Sequence, residues 1–483
     1  MPDAHRNFVN GEWIESETGD TFESRNPADP SDVVGEYQRS AGADAEAAVD
    51  IAAGATDEWA DTPGPERGRI LRAVGAELDA RSEELTETLV HEEGKARPEA
   101  AGEVGRAVDI FYYYAEKARD RGGRVKQSSG RNTRLHTREQ PLGVAAIITP
   151  WNYPIAIPAW KIAPAIAAGN TVVWNPASET PEIARKLTEC LDSAGVPDGV
   201  VNYVTGPGSE IGDPLIEHDD VSAVSFTGST AVGKHVYEVA TNNEKRVQTE
   251  MGGKNPTVVT DSADPAEAAE IVADGAFGVT GQACTAASRA IVDEAVYDEF
   301  LDRLVEEAEA IDVGPGLDDY DMGPQVNADE LDSTLSYIDA ALEDGNELLA
   351  GGDVPEGDHV GDGYFIQPTV FADVGRNDTI AQEEIFGPVV AVIPSSGYEE
   401  GVEIANDVKY GLSTSIVSED NTEVNRFIED AEAGVVKVNE KTTGLELHVP
   451  FGGLKDSSSN TYREQGDAGI DFFTTTKTVY HNY

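Results

Sequence analysis

Cysteine and positive charge are both scarce in this chain of 483 residues. It contains 2 cysteines, and its 35 Lys and Arg face 90 Asp and Glu, which gives a formal net charge of −55. Two cysteines are too few for a disulfide framework or a metal site with paired-ligand spacing, so we expect no metal and a reducing cytoplasm. The shortage of cations argues against nucleic acid and membrane surfaces as partners. Acids spread through patterned segments instead indicate a solvated surface adapted to concentrated salt.

Long apolar runs are missing as well. Residues 1–14 mix charges with isolated apolar residues, and the most apolar stretch, 148–168, is interrupted by four prolines and Lys161. We therefore expect neither an export signal nor a membrane span. The hydrophobic content of 39% is nevertheless enough to fill the core of a globular chain with two or three domains.

The spacing of apolar residues predicts an α/β fold. Segments 43–61 and 65–92 have the three- and four-residue periodicity of amphipathic helices. Beyond Pro141, short apolar runs such as 144–148 alternate with helical stretches, and the alternation restarts after Glu250. Strands that alternate with helices pair in parallel through right-handed crossovers. Two α/β domains are therefore expected.

Two other segments look like strands without a helical partner in the sequence. Residues 121–139 are polar with alternating character, and residues 472–483 are rich in Thr, Phe and Tyr. Unpaired strands of this type often form the edges at which subunits join. We therefore expect a homo-oligomer, either a dimer or a tetramer.

Cys284 is the candidate nucleophile. It lies in Gly281-Gln282-Ala283-Cys284-Thr285, where a glycine turn and small residues are expected to bring the thiol near helix N-terminal amides, whose field favours the thiolate. Taken alone, such a cysteine is more often a buried structural thiol, and Cys190 is interpreted as one. Upstream, Glu250 ends a strand-like run before a Gly-Gly turn. Its side chain is either a catalytic base at a strand end or an ordinary surface acid.

Two further features suggest a nucleotide and an oxyanion. The segment 226–233 follows an apolar run and opens a helix, the context that holds pyrophosphate on helix amides, whereas the glycines of 206–212 lack fingerprint spacing. Asn152 lies between Pro150 and Pro154, where its amide either donates to a developing oxyanion or closes an Asx turn. Each of these features alone is more often a simple turn.

Taken in order, these segments resemble the aldehyde dehydrogenase superfamily over nearly the full chain. The motifs that carry the resemblance are Pro150-Trp151-Asn152-Tyr153-Pro154, Phe226-Thr227-Gly228-Ser229-Thr230, Glu250-Met251-Gly252-Gly253-Lys254, Gly281-Gln282-Ala283-Cys284, Glu383-Glu384-Ile385-Phe386-Gly387-Pro388 and Pro450-Phe451-Gly452-Gly453. The resemblance implies a Rossmann-type dinucleotide-binding domain (1–120 and 141–252), an α/β catalytic domain (253–452) and small oligomerisation strands (121–140 and 465–483).

The resemblance also assigns roles in the NAD(P)-dependent oxidation of an aldehyde to an acid. Cys284 would attack the carbonyl to form a thiohemiacetal and then a thioester, Asn152 and the Cys284 amide would hold the oxyanion, and Glu250 would activate water. The matching cofactor contacts are Ile148, Thr149, Trp151, Lys161, Asn175, Ser178, Phe226, Gly228, Ser229, Val232, Glu384 and Phe386.

The sequence departs from the family pattern where the adenosine would bind. The family commonly has Lys-Pro-Ser-Glu, but this chain has Asn175-Pro176-Ala177-Ser178. Ser178 removes a carboxylate that would repel a 2′-phosphate, which favours NADP. Asn175 removes a cation that would attract the same phosphate, so NAD stays open.

The C-terminal loop 439–450, together with 463–466, resembles the branch that oxidises 2,5-dioxopentanoate (α-ketoglutarate semialdehyde) to 2-oxoglutarate in pentose and sugar-acid degradation. That substrate is an anion. We therefore assign Lys441 to its carboxylate and Tyr153 to the substrate pocket, with a solvated ion pair as the alternative for Lys441. Succinate semialdehyde, a betaine-type aldehyde, a CoA-acylating reaction, a nucleotide-independent cysteine hydrolase and a noncatalytic protein are the competing functions.

Overall fold

Three larger sheets and two two-stranded sheets organise the chain in the computed structural model, which describes residues 4–483. The strands are β1 (Asn7–Val9), β2 (Glu12–Ile14), β3 (Thr21–Arg25), β4 (Val33–Gln38), β5 (Val125–Gln127), β6 (Thr133–Pro141), β7 (Val144–Ile148), β8 (Thr171–Asn175), β9 (Val201–Tyr203), β10 (Val221–Thr227), β11 (Arg246–Glu250), β12 (Asn255–Val259), β13 (Ala287–Asp293), β14 (Glu347–Ala350), β15 (Thr369–Ala372), β16 (Val389–Ser395), β17 (Tyr410–Gly411), β18 (Ser413–Val417), β19 (Val435–Val438), β20 (Leu454–Lys455) and β21 (Thr474–Asn482). The helices are α1 (Gly42–Asp61), α2 (Gly64–Ala80), α3 (Ser82–Glu93), α4 (Arg97–Lys117), α5 (Ala156–Ala168), α6 (Pro181–Ser193), α7 (Gly208–Glu217), α8 (Thr230–Asn242), α9 (Pro265–Phe277), α10 (Tyr297–Glu309), α11 (Ala328–Asp344), α12 (Thr379–Gln382), α13 (Tyr398–Asn406), α14 (Asn421–Asp430) and α15 (Gly466–Phe472). The two-stranded sheets are β3-β4 and β17-β20.

The first sheet has the order β11-β10-β7-β8-β9-β1-β2, with parallel pairing from β11 to β9. Alternate residues of its strands point to opposite faces. Ile147 packs in a core with α4 and α5, and the neighbouring Ala146 packs in another core with α1 and α7. Helices therefore cover both faces, as in a doubly wound α/β domain.

The second sheet has the order β14-β15-β16-β13-β12-β18-β19, and only the edge strand β14 is antiparallel to its neighbour. Its central strands β12 and β13 are almost wholly buried because helices α9 and α10 pack on one face and α13 packs on the other. The predicted α/β class, with two parallel sheets, is confirmed.

The third sheet pairs β6 with β21 along nine residues and adds β5 at the edge, in the order β21-β6-β5. It joins the middle of the chain to the C-terminus. Two apolar side chains stand out on it, because Val125 is 67% exposed and Tyr480 is 73% exposed. Residues 466–472, included among the predicted strands, form helix α15 instead, and Ile470 buries its apolar face against the first core.

The predicted helix 65–92 is broken into α2 and α3 at Arg81. That residue has φ −106° and ψ 11°, outside the helical region, and its guanidinium pairs with Glu84 and with Glu189 on α6. A tertiary ion pair, which local periodicity cannot reveal, thus marks the break. Within residues 4–483, every helix is too short or too polar to cross a bilayer.

Candidate active site

Two cavities meet at Cys284. The first, of about 420 Å³, is lined by Glu103, Arg106, Tyr153, Trp160, Lys441 and Phe451 among others. The second, of about 410 Å³, is lined by Ile148, Trp151, Gly228, Ser229, Glu384 and Phe386 among others. Both cavities include Thr227, Met251 and Cys284 in their walls. A ligand in either cavity can therefore reach the same sulfur.

The backbone around Cys284 is held in an uncommon shape. Val279, Thr280 and Gly281 have φ of 52°, 56° and 68°, three successive left-handed residues. A side chain on Gly281 would overlap the carbonyl of Gly387, so only glycine fits. The Asn255 amide then donates to the Cys284 carbonyl at 2.8 Å and fixes the far side of the loop.

The helix N-terminus expected at Cys284, as the source of a positive field, is absent from the described part of the chain. The segment around Cys284 runs from a 3₁₀ turn at Gly278–Gly281 directly into β13, and no described helix begins there. Burial first, and then the carboxylates of Glu384 and Glu250, raise the pKa of the Cys284 thiol. The expectation of a helix-stabilised thiolate is therefore wrong, and the thiol needs a proton acceptor before it can attack.

Asn152 faces the second cavity beside Cys284. One hydrogen of its side-chain amide goes to the Gln282 carbonyl at 2.9 Å, which orients the amide. The other hydrogen stays available for an oxyanion formed at Cys284. The carbonyl of Asn152 accepts from Lys95 Nζ at 2.7 Å, so a buried cation also anchors the backbone here.

Lys95 belongs to a buried charge cluster that the sequence did not reveal. Its ammonium donates to Glu103 at 2.6 Å and lies 4.5 Å from the centre of the Tyr153 ring. Glu103 in turn accepts from the amides of Ile155 and Ala156 at the start of α5. The cluster thus ties α4 to the segment that carries Asn152 and holds Tyr153 in the wall of the first cavity.

Glu250 ends β11, where it pairs with Thr227 of β10. Its carboxylate accepts from the Gly453 amide at 3.0 Å and from Ser458 Oγ at 3.1 Å. A side chain on Gly452, whose φ is +152°, would overlap that carboxylate, which explains the glycines of the Phe451-Gly452-Gly453 motif. Burial first, and then the charge of Glu464, raise the pKa of Glu250 well above its usual range.

Glu464 is a second buried carboxylate that sequence reasoning missed. Its side chain is ion-paired with Lys161 and accepts from Trp160 Nε1 at 2.9 Å. Lys161 also donates to Ser225 Oγ at 2.9 Å and is 1% exposed. Lys161 is not among the residues that line the second cavity, so the structure does not bring it together with the other predicted cofactor contacts.

Nine of the predicted cofactor contacts share the wall of the second cavity: Ile148, Thr149, Trp151, Phe226, Gly228, Ser229, Val232, Glu384 and Phe386. They come together because the carboxyl ends of β7 and β10 are neighbours, with Ile148 paired to Phe226. Asn175 and Ser178 are not in this wall. The Asn175 amide instead donates to the carbonyls of Val204 and Gly206.

The second cavity offers groups that suit the phosphate and sugar of a nucleotide. Ser229 caps α8 by accepting from the Val232 amide, and the N-terminus of this helix suits a phosphate. The buried hydroxyl of Thr227 has no partner among the described residues. Glu384 accepts from the Gly253 amide at 2.9 Å, and its other carboxylate oxygen lies where a side chain on Gly252 would stand. These groups offer amides to phosphate and a carboxylate to sugar hydroxyls.

Lys441 lies in the wall of the first cavity. It is 45% exposed, and its ammonium is 3.8 Å from the exposed carboxylate of Asp274. Lys441, the predicted contact for the substrate carboxylate, is therefore already in a loose ion pair that solvent can reach.

Comparisons with known proteins agree with this geometry. A model of the aldehyde dehydrogenase family matches residues 13–479. Alpha-ketoglutarate semialdehyde dehydrogenase of Haloferax volcanii is 64% identical, covering 100% of both chains. Alpha-ketoglutaric semialdehyde dehydrogenase of Bacillus subtilis is 46% identical, covering 98% of this chain and 97% of its own. For 2,5-dioxopentanoate dehydrogenase of Saccharolobus solfataricus the identity is 42%, with 98% of each chain covered.

Two solved structures are also similar. 3,6-anhydro-L-galactose dehydrogenase in complex with NAP has a TM-score of 0.96 at 36% identity, covering 99% of this chain and 100% of its own. Betaine aldehyde dehydrogenase from Staphylococcus aureus in complex with NAD+ has a TM-score of 0.96 at 33% identity, covering 99% and 95%. The predicted NAD(P)-dependent oxidation of aldehydes to acids through a cysteine is confirmed, and the chain belongs to the aldehyde dehydrogenase family.

Proposed function

We propose that the chain oxidises 2,5-dioxopentanoate to 2-oxoglutarate. The observation that carries the proposal is the first cavity, where Cys284 shares largely apolar walls with two cations, Arg106 and Lys441. An aldehyde that also bears a carboxylate needs a thiol for one end and a positive charge for the other. The relatives from Haloferax and Bacillus carry this substrate in their names, and they match nearly the whole chain.

Each step of the proposed reaction is assigned to particular residues of the chain. Cys284 loses its thiol proton to solvent, Sγ bonds to the aldehyde carbon, and the amides of Asn152 and Cys284 hold the resulting oxyanion. Loss of hydride from that carbon restores the carbonyl as a thioester. Glu250 then takes a proton from water, and the water oxygen replaces sulfur to give the acid. When bound, the nicotinamide cofactor supplies the hydride acceptor.

We infer that NADP is the preferred cofactor. Support comes from Ser178, where a glutamate would repel a 2′-phosphate. NAD remains the alternative because Asn175 supplies no cation and Glu330 places an acid in the wall of the second cavity. Thr227 and the N-terminus of α8 serve either nucleotide.

The competing functions find less support in the site. A cysteine hydrolase would need a histidine base, yet within residues 4–483 neither cavity is lined by a histidine. A CoA-acylating enzyme has no use for a water-activating carboxylate, which Glu250 supplies. A cationic betaine-type aldehyde would be opposed by Arg106. Of the four acids that the structure describes in the same wall, Asp274 lies beside Lys441. The other three, Glu99, Glu103 and Glu250, accept from other groups. Succinate semialdehyde shares the charge pattern of the proposed substrate and is the nearest alternative.

Initial rates of NAD(P)H formation with a panel of aldehydes, each tested with both nucleotides in high salt, will check the proposed substrate. We expect kcat/KM for 2,5-dioxopentanoate to exceed that for 4-oxopentanal, in which a methyl group replaces the carboxylate, by about tenfold or more. We also expect kcat/KM for NADP to exceed that for NAD. Neutral aldehydes that outperform every carboxylated one would refute the substrate and leave the family assignment intact.

Glu464→Gln is expected to move the acid limb of the kcat profile to lower pH. Glu250 acts as a base only when ionised, and the negative charge of Glu464 raises its pKa, so removing that charge lets Glu250 ionise at lower pH. The variant leaves Lys161 buried without its partner. The double variant Lys161→Met/Glu464→Gln removes both charges and is the matched control for stability. An unchanged acid limb in both variants would refute the coupling.

We also propose that the protein assembles as a dimer or a tetramer through the third sheet. Strand β5 is exposed along its whole length, and β21 is exposed at most positions. An exposed strand edge with apolar side chains such as Val125 and Tyr480 favours association with a second copy.

A further inference from the structure

We propose that Arg106, rather than Lys441, is the main residue that binds the carboxylate of the substrate. The proposal rests on the proposed function, since it presumes an aldehyde with a distal carboxylate. Arg106 lies on α4, on the same face as Glu99, Gly102 and Glu103, which line the first cavity with it. The three- and four-residue spacing of these positions puts all four on one side of the helix.

The acids that surround Arg106 in this cavity are engaged elsewhere. Glu99 accepts from the amides of Ala96 and Val279, at 3.1 and 2.6 Å. Glu103 is ion-paired with Lys95, and Glu250 accepts from the Gly452-Gly453 loop and from a serine. Each carboxylate thus has a structural partner that does not include Arg106.

Arg106 itself has no partner of this kind. The guanidinium is half-buried, and within residues 4–483 its side chain makes neither an ion pair within 4 Å nor a hydrogen bond. Burial lowers the pKa of Arg106, an effect that the more distant charges of Glu446 and Asp109 oppose. A partly desolvated cation with five unused donors is expected to gain more from an incoming anion than a solvated one does.

Lys441 differs from Arg106 both in having an acidic partner and in being more exposed to solvent. Its ammonium is close to Asp274 and is 45% exposed, so its charge is partly compensated and strongly hydrated. Exposed pairs of this type contribute little to stability or binding. The planar guanidinium of Arg106 can also bind both oxygens of a carboxylate at once, which a lysine cannot do.

The walls beside Arg106 suit the rest of the substrate. Ile157, Trp160, Leu445 and Phe451 line the same cavity as the guanidinium and the thiol. An α-keto acid with its aldehyde on Cys284 would place its methylene carbons against these apolar side chains and its carboxylate at a cation. The geometry thus assigns the two ends of the substrate to Cys284 and Arg106.

The test compares Arg106→Met with Lys441→Met, two substitutions that keep a long side chain and remove one positive charge. The wild type and both variants are assayed with 2,5-dioxopentanoate and with 4-oxopentanal. We expect Arg106→Met to lower kcat/KM for 2,5-dioxopentanoate by about 10- to 100-fold, the value of one charged hydrogen bond, and to change it less than about threefold for 4-oxopentanal. Lys441→Met is expected to lower kcat/KM for 2,5-dioxopentanoate by less than about fivefold.

Arg106→Lys keeps the charge without the planar fork and is expected to fall between the wild type and Arg106→Met. Activity on 4-oxopentanal reports whether each variant is folded. An equal loss on both aldehydes in Arg106→Met and Arg106→Lys would refute the proposal, as would a larger selective loss in Lys441→Met. A wild type that does not distinguish the two aldehydes would instead refute the proposed function, so the two failures can be told apart.

Discussion

Cys284→Ala is expected to lower kcat/KM for aldehyde oxidation by about 10⁴-fold or more, with no residual esterase activity. The sulfur is in the wall of both cavities, so every route from aldehyde to acid that we propose passes through it. Alanine leaves no group that can form the covalent adduct. Initial rates of NAD(P)H formation and ester hydrolysis by the same preparation will measure both losses.

The chain offers a matched control in its second cysteine. Cys190 lies on α6, fully buried, with the Arg81 guanidinium 3.6 Å from its sulfur, and it lines neither cavity. Cys190→Ala is expected to keep kcat/KM within about twofold, although it removes a buried sulfur and lowers stability by about 1 kcal/mol. If Cys284→Ala still binds the cofactor, as measured by the quenching of its tryptophan fluorescence, this variant is folded. Oxidation that survives in Cys284→Ala would overturn the assignment of the nucleophile.

The motifs around Cys284 and Glu250 were predictable because each contains a position that only glycine can occupy. Gly281 is required by its own φ and by the carbonyl of Gly387, and Gly452 by contact with the Glu250 carboxylate. Constraints of this kind leave a short and specific pattern in the sequence. The residues that line the second cavity at the ends of β7 and β10 were also predictable, because these two strands are neighbours and end side by side.

The buried charges could not be predicted, because their partners are far apart in the sequence. Lys95 binds the carbonyl of Asn152, and Lys161 pairs with Glu464 more than 300 residues away. In a chain with 90 acids, a single lysine or glutamate looks like part of the solvated surface. Only the fold shows which of them are buried and paired.

Composition alone could not single out Arg106 as a candidate substrate contact. Lys441 drew notice because a lysine is rare in the C-terminal loop, whereas Arg106 lies in a helix with several charged residues, where an arginine looks ordinary. The sequence also could not show that no described helix begins at Cys284. Small residues after a glycine are compatible both with a helix start and with the irregular segment that the structure shows. Composition indicates how common a charge is, while burial and partners decide what it does.

Glu250→Gln is expected to give a burst of reduced cofactor close to one equivalent per active site, followed by steady-state turnover that is slower by about 10²- to 10⁴-fold. The glutamine has the same shape and can still accept from the Gly453 amide, so the loop around it is kept. Attack by Cys284 and the oxyanion contacts of Asn152 remain. Only the group that takes a proton from water is lost. Stopped-flow absorbance of the reduced nicotinamide measures the burst and the later rate.

The stalled species should be a thioester on Cys284, and this distinguishes a block in hydrolysis from a general loss of activity. Intact-protein mass spectrometry during the stall should show the acyl adduct in Glu250→Gln and none in Cys284→Ala. Hydroxylamine attacks thioesters without help from a base. Added to the stalled enzyme after the excess aldehyde has been removed, it should release the acyl group as a hydroxamate and abolish the mass shift. Normal steady-state rates in Glu250→Gln would remove Glu250 from the mechanism. A stall without an adduct would place the role of Glu250 before the thioester.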